Sequence, residues 1–117
     1  LYNSNKEKLS LKDFDYSKYF NVNLAQDTMS IRKEFLDIPK FKKHDLVQGE
    51  VPFDEKFDII FCRNVMIYFD NHFHEELAKK FHQYLTKGGI LFIGHSESFS
   101  HINHSLHYVQ PTVYMKK

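Results

Sequence analysis

At 117 residues the chain makes one small domain or a piece of one, and a hydrophobic content of 42% supplies a core for it. A formal net charge of +1 gives no reason to expect nucleic acid or an anionic membrane as partner. The single cysteine excludes an internal disulfide and suits a reducing compartment, and with no apolar run near ~18 residues and no signal-peptide pattern the chain reads as soluble.

The first residue is Leu1 rather than Met, as in a fragment or a processed chain. Residues 1–8 are polar and lysine-rich and read as an exposed lead-in. Ser10 or Asp13 can cap a short helix reaching Tyr19-Phe20, with Phe14 on its buried side. From Val22 to Ile31 two β-type pieces flank Ala25-Gln26-Asp27-Thr28, a hairpin that lacks the strong Asn-Gly turn. Residues 32–36 form a helical turn that Pro39 stops, and Phe41 to Leu46 reads as a strand leading into a loop at 48–53.

The run Phe57-Asp58-Ile59-Ile60-Phe61-Cys62 is nearly continuous in apolar character and too short for a helix. It reads as a strand buried on both faces, as in parallel sheets, lying between strands near 41–46 and 90–94. On that reading Phe57, Ile59, Ile60 and Phe61 are largely buried. Phe73, Leu77, Phe81, Tyr84 and Leu85 recur at helical spacing, which predicts a helix over 71–86, capped by Asp70 or Asn71 and ended by Gly88. Glu75–Lys79 and Glu76–Lys80 are i,i+4 pairs on it. Ile90 to Gly94 is the next buried strand, so strand, helix and strand make a right-handed crossover. His107-Tyr108-Val109 and Thr112-Val113-Tyr114-Met115 close the chain as two strands around Gln110-Pro111.

Arg63 and Asn64 break an apolar course that resumes at Val65, and a charge there is costly unless it is paired or functional. They fall at the C-terminal end of a strand, the edge where ligands bind in open α/β sheets. None of the glycines at 49, 88, 89 and 94 forms G-x-G-x-x-G. Gly94-His95-Ser96-Glu97-Ser98 fails the hydrolase elbow pattern, since His95 precedes Ser96 and Ser98 stands where the last glycine belongs. Cys62 ends an apolar strand and reads as a buried, inert thiol rather than a nucleophile. The eight histidines lack the spacing of a zinc site and read as surface residues.

One family shares this combination in order and spacing. Phe57-Asp58, Phe61-Cys62-Arg63-Asn64-Val65-Met66-Ile67-Tyr68-Phe69-Asp70, Lys87-Gly88-Gly89, Gly94-His95-Ser96-Glu97-Ser98 and Gln110-Pro111-Thr112-Val113-Tyr114 resemble the bacterial chemotaxis receptor (protein-glutamate) O-methyltransferases. The match runs over residues 45–117 and more loosely from about Tyr19, and it covers the C-terminal part of that family's catalytic domain.

The resemblance implies an α/β fold: the C-terminal half of a Rossmann-like methyltransferase sheet (residues 41–117), preceded by a lead-in (1–20) and a small β-rich subdomain (21–40). It implies S-adenosyl-L-methionine as cofactor, S-adenosyl-L-homocysteine as product, and the cytoplasmic domains of chemotaxis receptors as partners of a cytoplasmic enzyme. Arg63 and Asn64 match a pair that contacts the cofactor, and in the complete enzyme alanine at either is expected to weaken binding while leaving folding nearly intact. Tyr68 matches a tyrosine at the methyl-transfer site, against the alternative of a core tyrosine beside Phe69. Asp45 and Leu46 match an Asn-Leu pair near adenine; the aspartate can accept from an exocyclic amine but cannot donate, and a solvated loop aspartate is its alternative. The family's glycine-rich loop and ribose-binding acidic residue have no counterpart here, so residues 1–117 are expected to carry part of the cofactor site, to bind the cofactor weakly or not at all by themselves and to be inactive alone. A non-catalytic docking fragment that binds a receptor tail or a partner protein is the alternative function. An unpaired sheet edge would make self-association possible.

Overall fold

A computed structural model describes Tyr2–Asn3 and residues 15–117. The helix expected from Ser10 or Asp13 lies mostly outside the described residues. The chain divides into two compact units, the first up to Lys42 and the second Lys43–Lys117.

In the first unit, strands β1 (Tyr2–Asn3), β2 (Phe20–Asn23) and β3 (Thr28–Ile31) form an antiparallel sheet in the order β1-β3-β2. Its strand β1 comes from the segment read as a lead-in. The expected hairpin is present: Asn23 Oδ1 accepts from the N–H groups of Ala25 and Gln26, which holds the turn without an Asn-Gly pair. A 3-10 turn over Lys33–Phe35 ends ahead of Pro39.

The second unit holds a four-stranded mixed sheet and one long helix. Strand β4 (Phe57–Cys62) pairs in parallel with β5 (Leu85–Ile93), and helix α1 (Asn71–Tyr84) links them. Strands β6 (His107–Gln110) and β7 (Val113–Met115) form an antiparallel hairpin, and β7 pairs with β5, giving the order β4-β5-β7-β6. Asp70 caps α1 by accepting from Phe73 N–H at 2.9 Å. Phe73, Leu77, Ala78 and Phe81 form its buried face, and they pack with Cys62, Leu85, Leu91, Ile93, Phe99 and Tyr114 into the core.

The helix stops at Tyr84, two residues early, because Leu85 turns extended, is fully buried and pairs with Phe57. Strand β5 therefore begins at Leu85 rather than near Ile90. Gly88 sits inside it at φ +81°, a conformation glycine adopts freely, while its N–H bonds Lys116 O at 2.7 Å. Neither expected i,i+4 acid–lysine pair forms among the described residues: Glu76 faces His72, and Lys80 is used elsewhere.

Two expectations fail together. Residues 40–45 form no strand, and β5 is the only neighbour of β4 among the described residues. The charged stretch Lys42-Lys43-His44-Asp45 offers little to a buried ladder, and Phe41 is 92% exposed. The carbonyls of Leu46 and Gly49 accept from Lys80 Nζ at 3.2 and 3.1 Å, and Asp45 Oδ1 takes Val47 N–H, so side chains replace ladder partners. Strand β4 is thus an edge strand with one covered face. Cys62 is buried and Ile60 packs on the core, but Ile59 and Phe61 on the other face are 53% and 69% exposed and Phe57 is half-buried.

Candidate functional site

An apolar cleft of about 420 Å³ opens along β4 and the face of α1, lined by Leu46, Val51, Phe53, Ile60, Phe61 and Val65 among others. Its polar members are His44, Arg63 and Lys80. Lys80 holds the Leu46–Gly49 loop over the cleft through the two carbonyls already described. Arg63 follows directly on the C-terminal end of β4 and is exposed, and no ion pair involving it is present among the described residues.

Asn64 takes the left-handed conformation, φ +61°, which asparagine visits more readily than most residues. That turn reverses the chain at the strand end and leads into a 3-10 turn over Met66–Tyr68. Met66 is buried in the core, whereas Tyr68 on the same turn is 79% exposed. The left-handed backbone bears on one expectation: alanine at Asn64 should cost folding stability, because it lacks the short polar side chain that lets asparagine adopt this conformation.

Of the five site residues read from the sequence, Leu46 and Arg63 meet on the cleft. Asn64 and Tyr68 lie on the turns just beyond it, and Asp45 sits in an exposed loop beside Leu46 with its carboxylate on Val47 N–H at 2.9 Å. Asp45 and Tyr68 do not line the cleft. Cys62, beneath the strand end, is buried as expected, and burial pushes its thiol up to about 11, with the charge of Glu97 adding to the shift. Among the described residues no three histidine, cysteine or acidic side chains are grouped as a metal site.

Glu97 is the residue the sequence reading passed over. It is 8% exposed, and its Oε2 accepts from Gly94 N–H at 2.5 Å and Asn64 N–H at 3.1 Å. Its Oε1 accepts from Met66 N–H at 2.8 Å. The signal available in sequence was slight: an acidic residue three positions after a glycine at a strand end.

The family model described as "CheR methyltransferase, SAM binding domain" matches residues 2–115. A chemotaxis protein methyltransferase of Borreliella burgdorferi is 44% identical over 99 residues, 85% of this chain and 34% of that protein. Those of Klebsiella aerogenes and Escherichia coli are 40% identical over 107 residues and 39% over 84, covering 90% and 72% of this chain and 37% and 29% of the relatives. The chain spans about a third of the length of these curated relatives. Matched over nearly its whole length, it belongs to the CheR methyltransferase family, within the SAM-binding domain.

Proposed function

We propose that this chain forms part of an S-adenosylmethionine-dependent protein-glutamate O-methyltransferase that esterifies glutamates on the cytoplasmic domains of chemotaxis receptors. The observation that carries the reading is Arg63 at the end of β4, standing on an apolar cleft with Leu46. On this reading the second unit is the C-terminal half of a Rossmann-like sheet, the residues before it include a small β-subdomain, and the enzyme works in the cytoplasm. No helix among the described residues is long and apolar enough to cross a membrane.

The residues present suit one portion of the cofactor. Apolar walls from Leu46, Phe61 and Val65 match a flat adenine, and Arg63 offers a positive charge at the mouth. No carboxylate lines the cleft among the described residues, so the ribose partner lies outside this set. Leu46 and Arg63 would hold the group from the cleft, with Asn64 and Asp45 next to them in the chain. When bound, it supplies a methyl on a sulfonium, and its demethylated product is S-adenosylhomocysteine. A glutamate with a pKa of ~4.3 is already a nucleophile at neutral pH. The protein therefore has to orient the carboxylate and exclude its water rather than move a proton. Tyr68, exposed on the turn after Asn64, can donate one hydrogen bond to that carboxylate while its ring shields it.

The test has two arms. Calorimetric titration with S-adenosylhomocysteine, on the chain joined to the remaining two thirds of a relative, should show weaker binding for Arg63→Ala than for the parent, by about 1–3 kcal/mol for a lost charged partner. The chain joined to the remaining two thirds of a relative should transfer labelled methyl groups to a receptor cytoplasmic domain as base-labile esters. Equal affinity for both proteins, or no labelled ester, overturns the reading.

One observation favours a second reading, a docking fragment. In the first unit, Tyr19, Phe20, Ile31, Phe35, Ile38 and Pro39 line an apolar groove beside β2, which is an edge strand among the described residues. A receptor tail could add a strand there. Binding of such a peptide by a chain that ignores S-adenosylhomocysteine would favour it.

A further inference from the structure

We infer that Glu97 is a positioning residue for the cofactor site: its buried carboxylate clamps the ends of β4 and β5 together and fixes the turn that presents Arg63, Asn64 and Tyr68. This deepens the proposed function and rests on it.

Three backbone N–H groups converge on the one side chain, from Asn64, Met66 and Gly94. The first two lie 33 and 31 residues away in sequence, so the contact is tertiary. No lysine or arginine pairs with Glu97 among the described residues, and the amides alone satisfy its charge. Hydrogen bonds from amides to a carboxylate are about twice as strong as neutral ones, whereas a buried acceptor left without them costs roughly 1–3 kcal/mol. The turn from Arg63 to Met66 is therefore held where the strand ladder can no longer hold it.

Two further observations support the clamp. Asn64 adopts φ +61°, and its N–H and that of Met66, two residues on, both reach the same carboxylate. Gly94 is packed so closely that a Cβ there would lie 2.5 Å from Asn64 Oδ1, 2.6 Å from Glu97 Oε2 and 2.9 Å from Asn64 N. Side chain, turn and strand end thus form one close-fitted unit, and none can move alone. Glutamine cannot substitute, because both oxygens of Glu97 accept. Its amide nitrogen would confront either the Met66 N–H or the pair from Asn64 and Gly94.

Glu97 need touch no ligand to act this way, so the test must separate positioning from plain stability. Amide spectra of the full chain come first. In the parent, the Asn64, Met66 and Gly94 amides should share one degree of protection against solvent exchange, opening together, a result that needs no variant to fold. Unequal protection, or none, overturns the clamp. Titration with S-adenosylhomocysteine is then followed on the same resonances in the chain joined to the remaining two thirds of a relative. In Glu97→Gln, at a temperature where circular dichroism shows it folded, affinity should fall at least tenfold; Gly94→Ala should act in the same direction. Parent-like affinity in folded Glu97→Gln would reduce Glu97 to a stabilising contact and overturn the inference alone. Should the glutamine variant not fold, Glu97→Asp replaces it: one methylene shorter, it cannot reach all three amides and should also lose affinity, and parent-like binding by it overturns the inference. A joined parent protein that does not bind at all overturns the proposed function and the positioning role with it, while amide exchange still reports on the clamp.

Discussion

Asn64 shows how a single dihedral changes the meaning of a substitution. At φ +61° an alanine is strained, so Asn64→Ala should lower stability by about 1 kcal/mol, while Asn64→Gly stays near the parent. If Asn64 contacts the cofactor through its amide, both variants lose affinity alike, and urea unfolding beside ligand titration separates the two effects. Cys62 gives a second residue-scale outcome. Its thiol is pushed up to about 11 from an ordinary 9.0 by burial and then by Glu97, so the folded state holds the proton more tightly than the unfolded chain. The resulting stabilisation is complete below about pH 9 and is lost as pH rises through about 11. Denaturation between those values should weaken the parent more than Cys62→Ala, and an equal decline in both would contradict the shift. The sequence could announce Cys62 and Arg63, since both stand out against an apolar run. It could not announce Glu97, two of whose three partners lie beyond the end of another strand and whose own neighbours, Ser96 and Ser98, look like any polar loop.

Helix α1 was legible because its apolar face repeats within one segment and Asp70 marks its start. Strand β4 was legible as a strand but not in its setting. A run without alternation does not say which face is covered, and here α1 covers only the side of Ile60 and Cys62. The expected strand at 41–46 failed for a reason also outside local pattern: Lys80, on the helix, takes the carbonyls of Leu46 and Gly49. That contact makes Lys80 the tether of one cleft wall. Lys80→Met keeps most of the apolar stem and removes both hydrogen bonds. Amides of residues 46–51 should then exchange faster with solvent, and S-adenosylhomocysteine affinity should fall several-fold, corresponding to about 1 kcal/mol. Unchanged exchange in that loop would show that the tether is dispensable and that packing of Leu46 on the core suffices.

For the molecule as a whole, the exposed rim of β4 predicts its behaviour in solution. The outer edge of β4 has no strand partner among the described residues, and Ile59 and Phe61 leave an apolar face beside that edge. An unpaired, apolar edge strand is a template for another chain, and the protections along Phe57–Cys62, the charge of Asp58 and a register shift between Phe57 and Ile59, are confined to its start and leave Ile59 to Cys62 without lysine or proline. Pairing two copies edge to edge would satisfy the free amides and carbonyls and bury both apolar faces at once. The apparent mass from light scattering should therefore rise with concentration. Ile59→Lys should return the chain to a monomer, since two such strands in register bring like charges together. The change should cost little folding stability, because Ile59 lies outside the core cluster. Ligand binding supplies the control: Ile59 lines the cleft as well, so association and cofactor binding should compete, and saturating S-adenosylhomocysteine should lower the scattered mass of the parent. A parent that stays monomeric at every concentration would show that β4 is protected despite its exposed side chains. A parent that associates equally with or without the lysine would place the contact elsewhere.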